Sequence, residues 1–133
     1  MEEIPDAFSD LFERETFASF ATLMPDGTPQ VTPVWIDEDD GHLLVNTARG
    51  RRKERNVERD PEVGVCVLDP DDPYRYVSVR GEVVAVTEDG AGDHIDALAR
   101  RYMDVEEYPH HGEESGPRVI VRIRPDRVVT SGE

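Results

Sequence analysis

Apolar and polar residues alternate in short runs along most of this chain, and turn-forming residues separate the runs. Residues 16–24 alternate and carry aromatic side chains, which predicts a strand. Pro25, Asp26 and Gly27 follow as a turn, with glycine where a positive φ is needed. Residues 30–36 predict a second strand, 37–41 a turn and 42–47 a third strand, and the three read as an antiparallel meander. Residues 63–68 are apolar on both faces and predict a short central strand. Residues 74–87 predict a long strand in which Gly81 marks a bend or bulge. A last strand covers 118–124, with 128–130 extending it past Pro125.

Helical spacing occurs in three places. Residues 5–14 put Phe8, Leu11 and Phe12 on one face, with Pro5 in the first turn. Residues 49–59 predict a helix that Asp60 and Pro61 stop. Residues 89–102 carry Ile95, Leu98, Ala99 and Tyr102 on one stripe. Residues 69–73 and 103–116 read as polar loops. Pro33 lies inside the second strand, so that strand must lack a ladder partner there or carry a bulge, which opens backbone groups to a ligand. Six short antiparallel strands with a few short helices predict a mainly β fold closed, or nearly closed, into a barrel.

The 133 residues fit one domain, 1–133, and 37% hydrophobic content is enough for one core. No stretch approaches the roughly 18 apolar residues of a membrane span, and the acidic start has no signal-peptide pattern. Cys66 is the single cysteine; it reads as a small buried hydrophobe, and a cytoplasmic location is expected. Charge changes the picture more. There are 30 acidic residues against 15 Lys and Arg, for a net of −15, and Lys53 is the only lysine. Acid-rich, lysine-poor composition predicts a protein kept soluble in concentrated salt. The screening length there falls to about 3 Å, so binding must rest on contact hydrogen bonds.

Against that background residues 49–59 form a basic island, with six cations and two acids, net +4, leaving −19 for the remainder. Counted as one helix, Arg49, Arg52, Lys53 and Asn56 fall at i, i+3, i+4 and i+7 on a face with no acid partner on its own helix. Arg51, Arg55 and Arg59 fall on a second, solvated face, interleaved with Glu54 and Glu58. The first face combines forked donors, a point charge and an amide, which suits a phosphate group, and backbone N–H groups near 47–50 add to it. The alternative is a surface helix whose cations pair with the acidic remainder. A nucleic-acid partner is not expected, because the remaining −19 repels a polyanion. His110 and His111 are too few ligands for a metal site. Gly-x-Ser-x-Gly, dinucleotide-glycine and Cys-x-x-Cys patterns are absent.

The run from Phe20-Ala21-Thr22-Leu23-Met24-Pro25-Asp26-Gly27 through Thr28-Pro29-Gln30-Val31-Thr32-Pro33-Val34-Trp35 resembles pyridoxamine 5′-phosphate oxidase-like proteins. So does Leu44-Val45-Asn46-Thr47-Ala48-Arg49-Gly50-Arg51-Arg52-Lys53-Glu54-Arg55-Asn56. The closer match is to the F420-dependent branch, the flavin/deazaflavin oxidoreductases, and the segments 72–83 and 122–128 extend it. The resemblance implies a six-stranded antiparallel split β-barrel of the FMN-binding, Greek-key type, paired as a homodimer with two cofactors in clefts between subunits. The cofactor phosphate would lie against Arg52 and Lys53, with Arg49 and Asn56 nearby. Thr32, Pro33, Val34 and Trp35, with Asn46, Thr47 and Ala48, would line the ring, and Tyr74 and Tyr76 would come from the partner subunit. Trp35, Tyr74 and Tyr76 also suit ordinary packing or a dimer seam.

The chain departs from true pyridoxamine phosphate oxidases in lacking their C-terminal extension, so vitamin B6 oxidase activity is not expected. What the resemblance implies is an oxidoreductase that binds F420, or alternatively FMN, and transfers hydride to a small electron-poor substrate. The competing readings are an FMN-dependent oxidase-like protein and a cofactor carrier without turnover. In each, the chemistry belongs to the cofactor, and no side chain is assigned as a general acid.

Overall fold

A computed structural model of the chain describes residues 1–132. Seven strands form one antiparallel sheet: β1 (Phe17–Leu23), β2 (Pro29–Trp35), β3 (Asp37–Asp39), β4 (His42–Ala48), β5 (Glu62–Asp69), β6 (Asp72–Thr87) and β7 (Arg118–Ser131). Their order is β2-β1-β5-β6-β7-β4-β3. Strands β2 and β3 stand at opposite ends of that order, yet only Ile36 separates them in sequence. The two edges therefore lie side by side, and the sheet curls into a split half-barrel. The count exceeds the expected six strands by the three-residue β3, which pairs with β4 in the segment read as a turn.

The expected meander is corrected. Strands β1 and β2 do form a hairpin, but β4 pairs with β7 and β3 and makes no ladder with β2. Alternation announces a strand without naming its partner, and Pro33 marks β2 as an edge, where proline is tolerated. Strand β5 is central, between β1 and β6. Of its apolar residues only Val63, Val65 and Val67 are buried, however; Cys66 on the other face is half-buried and Leu68 is exposed. Cys66 is thus not the buried hydrophobe expected from its apolar run. The ladder of β6 with β7 slips at Gly81, where an added Cβ would stand 2.6 Å from the Arg124 carbonyl oxygen. Close backbone approach explains the glycine there.

The inner face of the sheet holds the core. A 3-10 segment (Asp6–Phe12) supplies Phe8, Leu11 and Phe12, and α1 (Arg52–Arg59) supplies Val57. On the outer face the two halves differ. Leu43 and Val45 of β4 point inward, so Leu44, Asn46 and Ala48 point outward, where α2 (Ala91–Met103) lies against β4 and β7. No helix lies on the outer face of β2, β1, β5 and β6 among the described residues. Phe17 and Val31 there are each 60% exposed. The register aligns Pro33, Ser19, Cys66, Ser78 and Val129 across that half without one charged side chain. In a chain that is 34% charged, such a row stands out.

Candidate functional site

At the split, where edge strand β2 comes beside β4 and α2, a pocket of about 330 Å³ opens. Its wall is apolar and aromatic. Pro33, Val34 and Trp35 come from β2, Phe17 from β1, Ile95 and Met103 from α2, and Tyr108 and His110 from the loop that follows α2. Trp35 stacks on Tyr102 with centroids 4.9 Å apart, and Tyr108 meets Trp35 edge-on at 6.3 Å. The Tyr102 hydroxyl fixes this stack by donating to the Thr16 carbonyl (2.5 Å) and accepting the Ile36 N–H (3.1 Å).

The opposite end of the pocket is cationic, lined by Arg51, Lys53 and Arg118. Arg118 is held from three sides. Its Nε donates to Asn46 Oδ1 (2.8 Å), its Nη1 to Glu114 Oε1 (2.7 Å), and its guanidinium lies 5.2 Å over the Tyr108 ring. Arg51 Nη2 donates to the second oxygen of the same carboxylate, Glu114 Oε2, at 3.0 Å. Lys53 has no ion pair or hydrogen bond among the described residues. Burial, and then the nearby charges of Arg51 and Arg118, push its ammonium below the ordinary lysine range. An unpaired, half-buried cation among like charges is a site short of an anion.

Asn46 is fixed from behind the pocket. Its amide nitrogen donates to the Ala91 carbonyl (2.9 Å) and to His94 Nδ1 (3.0 Å), which places the His94 proton on Nε2, 3.0 Å from Asp37 Oδ2. Burial works against ionised Asp37, but hydrogen bonds from His94 and Arg101 outweigh it and hold that carboxyl down at about 2. Both amide hydrogens of Asn46 are thus used, and its side-chain oxygen, with one lone pair taken by Arg118 Nε, keeps the other.

Five of the thirteen residues expected at the site line this pocket: Pro33, Val34, Trp35, Asn46 and Lys53. Thr47 and Ala48 are buried away from it, and the Thr32 and Thr47 hydroxyls are buried without a partner. The expected phosphate face is corrected at its ends. Arg49 is not free of acids: it reaches Glu54 (3.3 Å), Glu58 (3.5 Å) and Glu88 (3.1 Å). Asn56 is fully buried and donates to Thr22 Oγ1 at 3.0 Å, tying α1 to β1. Arg52 does not line the pocket, whereas Arg51, expected on the solvated face, does. The reason is local. Gly50 takes a φ of +94° and Arg51 is extended, so the helix begins only at Arg52 and a helical count from Arg49 fails. The N–H groups of Arg49, Gly50 and Arg51 are also spent, on Pro117 O, Glu54 Oε1 and Ala48 O.

Tyr74 is 81% exposed and Tyr76 half-buried, and neither lines the pocket of its own chain. Tyr108, His110, Glu114 and Arg118 escape sequence reading because they lie in or just beyond the 103–116 loop, which has no periodicity to orient them. A lone aromatic at 108 between Glu107 and Pro109 is the one local signal. His110 and His111 pair with Glu113 (2.9 Å) and Asp96 (2.7 Å).

The pyridoxamine 5′-phosphate oxidase family model matches residues 4–132. An F420 reductase of known structure is 36% identical over 95% of this chain and 98% of its own, with a TM-score of 0.81. The Rv2991 protein of Mycobacterium tuberculosis, 24% identical, covers 98% of this chain and 89% of its own at a TM-score of 0.75. General Stress Protein 26 of Bacillus anthracis, 21% identical, covers 93% and 90% at a TM-score of 0.69. These last two share the fold. None of the curated proteins matches. On the family match and the F420 reductase likeness together, the chain belongs to the pyridoxamine 5′-phosphate oxidase family.

Proposed function

We propose that the protein is a flavin- or deazaflavin-dependent oxidoreductase that works as a homodimer and passes hydride to a small, electron-poor substrate. The observation that carries this reading is the two-ended pocket: a flat aromatic wall built on Trp35 at one end and three cations, one of them unpaired, at the other. A planar ring bearing an anionic tail has this same division. The donor set fits the phosphate of F420 or of FMN, with Lys53 and the free N–H groups of Arg51 and Arg118 to hold it. Likeness to an F420 reductase makes F420 the first candidate and FMN the second.

When bound, the reduced cofactor supplies the hydride. The chain's own residues hold and shield it. Trp35, Val34 and Phe17 would shield one side of a ring bound there from water, and Asn46, its donors already used and one lone pair of its Oδ1 taken by Arg118, would offer the other as an acceptor. A second copy of this chain is the partner we assign to the outer face of β2, β1, β5 and β6, along its uncharged row of Pro33, Ser19, Cys66 and Ser78. That face runs into the pocket through Phe17 and Pro33, so a second subunit there roofs the pocket and can bring Tyr74 or Tyr76 to it. The acid surplus suits a salt-rich cytoplasm. Among the described residues no helix is long and apolar enough to cross a membrane.

Titration of the purified protein with F420 and with FMN tests the reading. Saturable F420 binding with turnover of a quinone, enone or nitro compound is the expected result. Binding of FMN alone moves the assignment to FMN, binding without turnover makes the protein a carrier, and binding of neither ends the proposal. Light scattering of the same sample is expected to give a dimer.

A further inference from the structure

We infer that Glu114 is a specificity-determining residue, a resident carboxylate whose charge sets which anionic ligands the cationic end of the pocket admits. This rests on the reading above only in taking the pocket as a ligand site. Glu114 lies outside every helix and strand, in a loop where an acid would ordinarily face water, yet its side chain is 8% exposed. Its two oxygens bridge two arginines that come from opposite sides of the site, Arg51 ahead of α1 and Arg118 at the start of β7. The bridge is delivered by anchored backbone. Ser115 Oγ donates to the Arg49 carbonyl (2.7 Å), the Arg49 N–H bonds the Pro117 carbonyl (2.9 Å), and Gly116 packs so close that an added Cβ would stand 3.0 Å from Arg49.

Three cations against one carboxylate leave the site with a surplus of two positive charges, and Lys53 carries the part that Glu114 does not reach. A phosphate monoester, at about −1.5 to −2 near neutral pH, matches that surplus. The arginines have capacity for both Glu114 and a ligand. Each guanidinium has five N–H donors; Arg118 spends three, on Asn46 Oδ1, the Asn46 carbonyl and Glu114, and Arg51 spends one. Removing the Glu114 charge frees further donors and raises the surplus. Arg118 keeps its place through Asn46 and Tyr108, so the site gains charge without losing its frame.

The chemistry recognised is a phosphate group, either free or as the terminus of a larger molecule, and the test separates the two. Thermal unfolding is followed in wild type, Glu114→Gln and Glu107→Gln at constant ionic strength, with and without inorganic phosphate. Glu107→Gln removes the same charge from the same loop at an exposed position with no ion pair among the described residues. Glu114→Gln is expected to melt lower without phosphate and to gain more from it than wild type, with Glu107→Gln behaving as wild type. In parallel, FMN and riboflavin, which differ only by the phosphate, are titrated into each protein. The FMN-to-riboflavin affinity ratio is expected to rise about tenfold in Glu114→Gln, the size of one charge-assisted contact.

A phosphate response in Glu114→Gln equal to or smaller than that of wild type overturns the inference, and so does an unchanged or lower ratio. The inorganic phosphate arm needs no flavin, so it stands apart from failure of the flavin reading, which riboflavin binding reports. If Glu114→Gln does not fold, Glu114→Asp, which keeps the charge, is expected to give the wild-type phosphate response and FMN-to-riboflavin ratio, and a departure in either overturns the role assigned to the charge.

Discussion

Two arginine clusters on opposite parts of this molecule are built from the same side chains and do different things. At the base of β6, Arg75 donates to Asp10 (2.7 Å) and Asp69 (2.9 Å), and Arg14 to Asp69 (3.3 Å) and Asp71 (2.7 Å). Two cations there face three carboxylates. Arg75 also donates to the Ala7 carbonyl (2.6 Å) and lies 5.0 Å over the Phe8 ring, so the cluster clamps the 3-10 segment onto the β5–β6 turn. At the pocket, three cations face the single carboxylate of Glu114. In a chain with twice as many acids as bases, a balanced cluster is what composition alone produces. A cluster left cationic needs another anion to complete it. The lesson is that the count of partners, more than the presence of arginine, separates a clamp from a binding site.

The sharpest test of that contrast removes what lies beneath the clamp. Phe8 is fully buried, and Phe8→Ala is expected to cost about 3–5 kcal/mol in denaturant unfolding while any folded protein keeps its affinity for cofactor. Lys53→Ala should do the reverse. Cofactor binding weakens by about 1–3 kcal/mol, the range for a charge-assisted contact, and the melting temperature does not fall, because a repelled cation has been removed. Unchanged affinity in both Lys53→Ala and Arg51→Ala would dissolve the distinction.

The two clusters also titrate at opposite ends of the pH range. The Lys53 proton is held less tightly than usual, so affinity for an anionic ligand is present at neutral pH and falls as pH rises, beginning below the ordinary lysine value of 10.5. Lys53→Arg should move that fall to higher pH. In the clamp, hydrogen bonds from Arg75 lower the Asp10 carboxyl, and the Asp71 N–H, followed by Arg75, lowers that of Asp69. A depressed carboxylate stabilises the fold above its unfolded value, about 3.9, and that contribution is lost as pH falls through the lower folded value. Acid unfolding of Arg75→Gln should therefore begin at higher pH than wild type. This is the smallest of the effects, because the cluster is partly solvated.

Local pattern carried much of this in advance. Strand positions, the long β6 with its slip at Gly81, the buried faces of the 3-10 segment and α2, and the placement of Lys53 at the pocket all follow from period, turn chemistry and charge that neighbouring residues express by themselves. Partner choice did not. Whether β4 lies beside β2 or β7 depends on how the sheet curls, and both arrangements satisfy the same alternation. The cationic end is legible as a segment, but which of its residues line the pocket is not, because one positive φ at Gly50 takes residues 49–51 out of the helix that a helical count includes. Glu114, Tyr108 and Arg118 reach the pocket only through the path of an aperiodic loop, pinned at Ser115 and Gly116 by contacts with Arg49, more than sixty residues earlier in the chain. Sequence determines what each short segment prefers; which segments meet is decided by closure of the whole sheet, and the charge balance of the pocket is a property of that meeting.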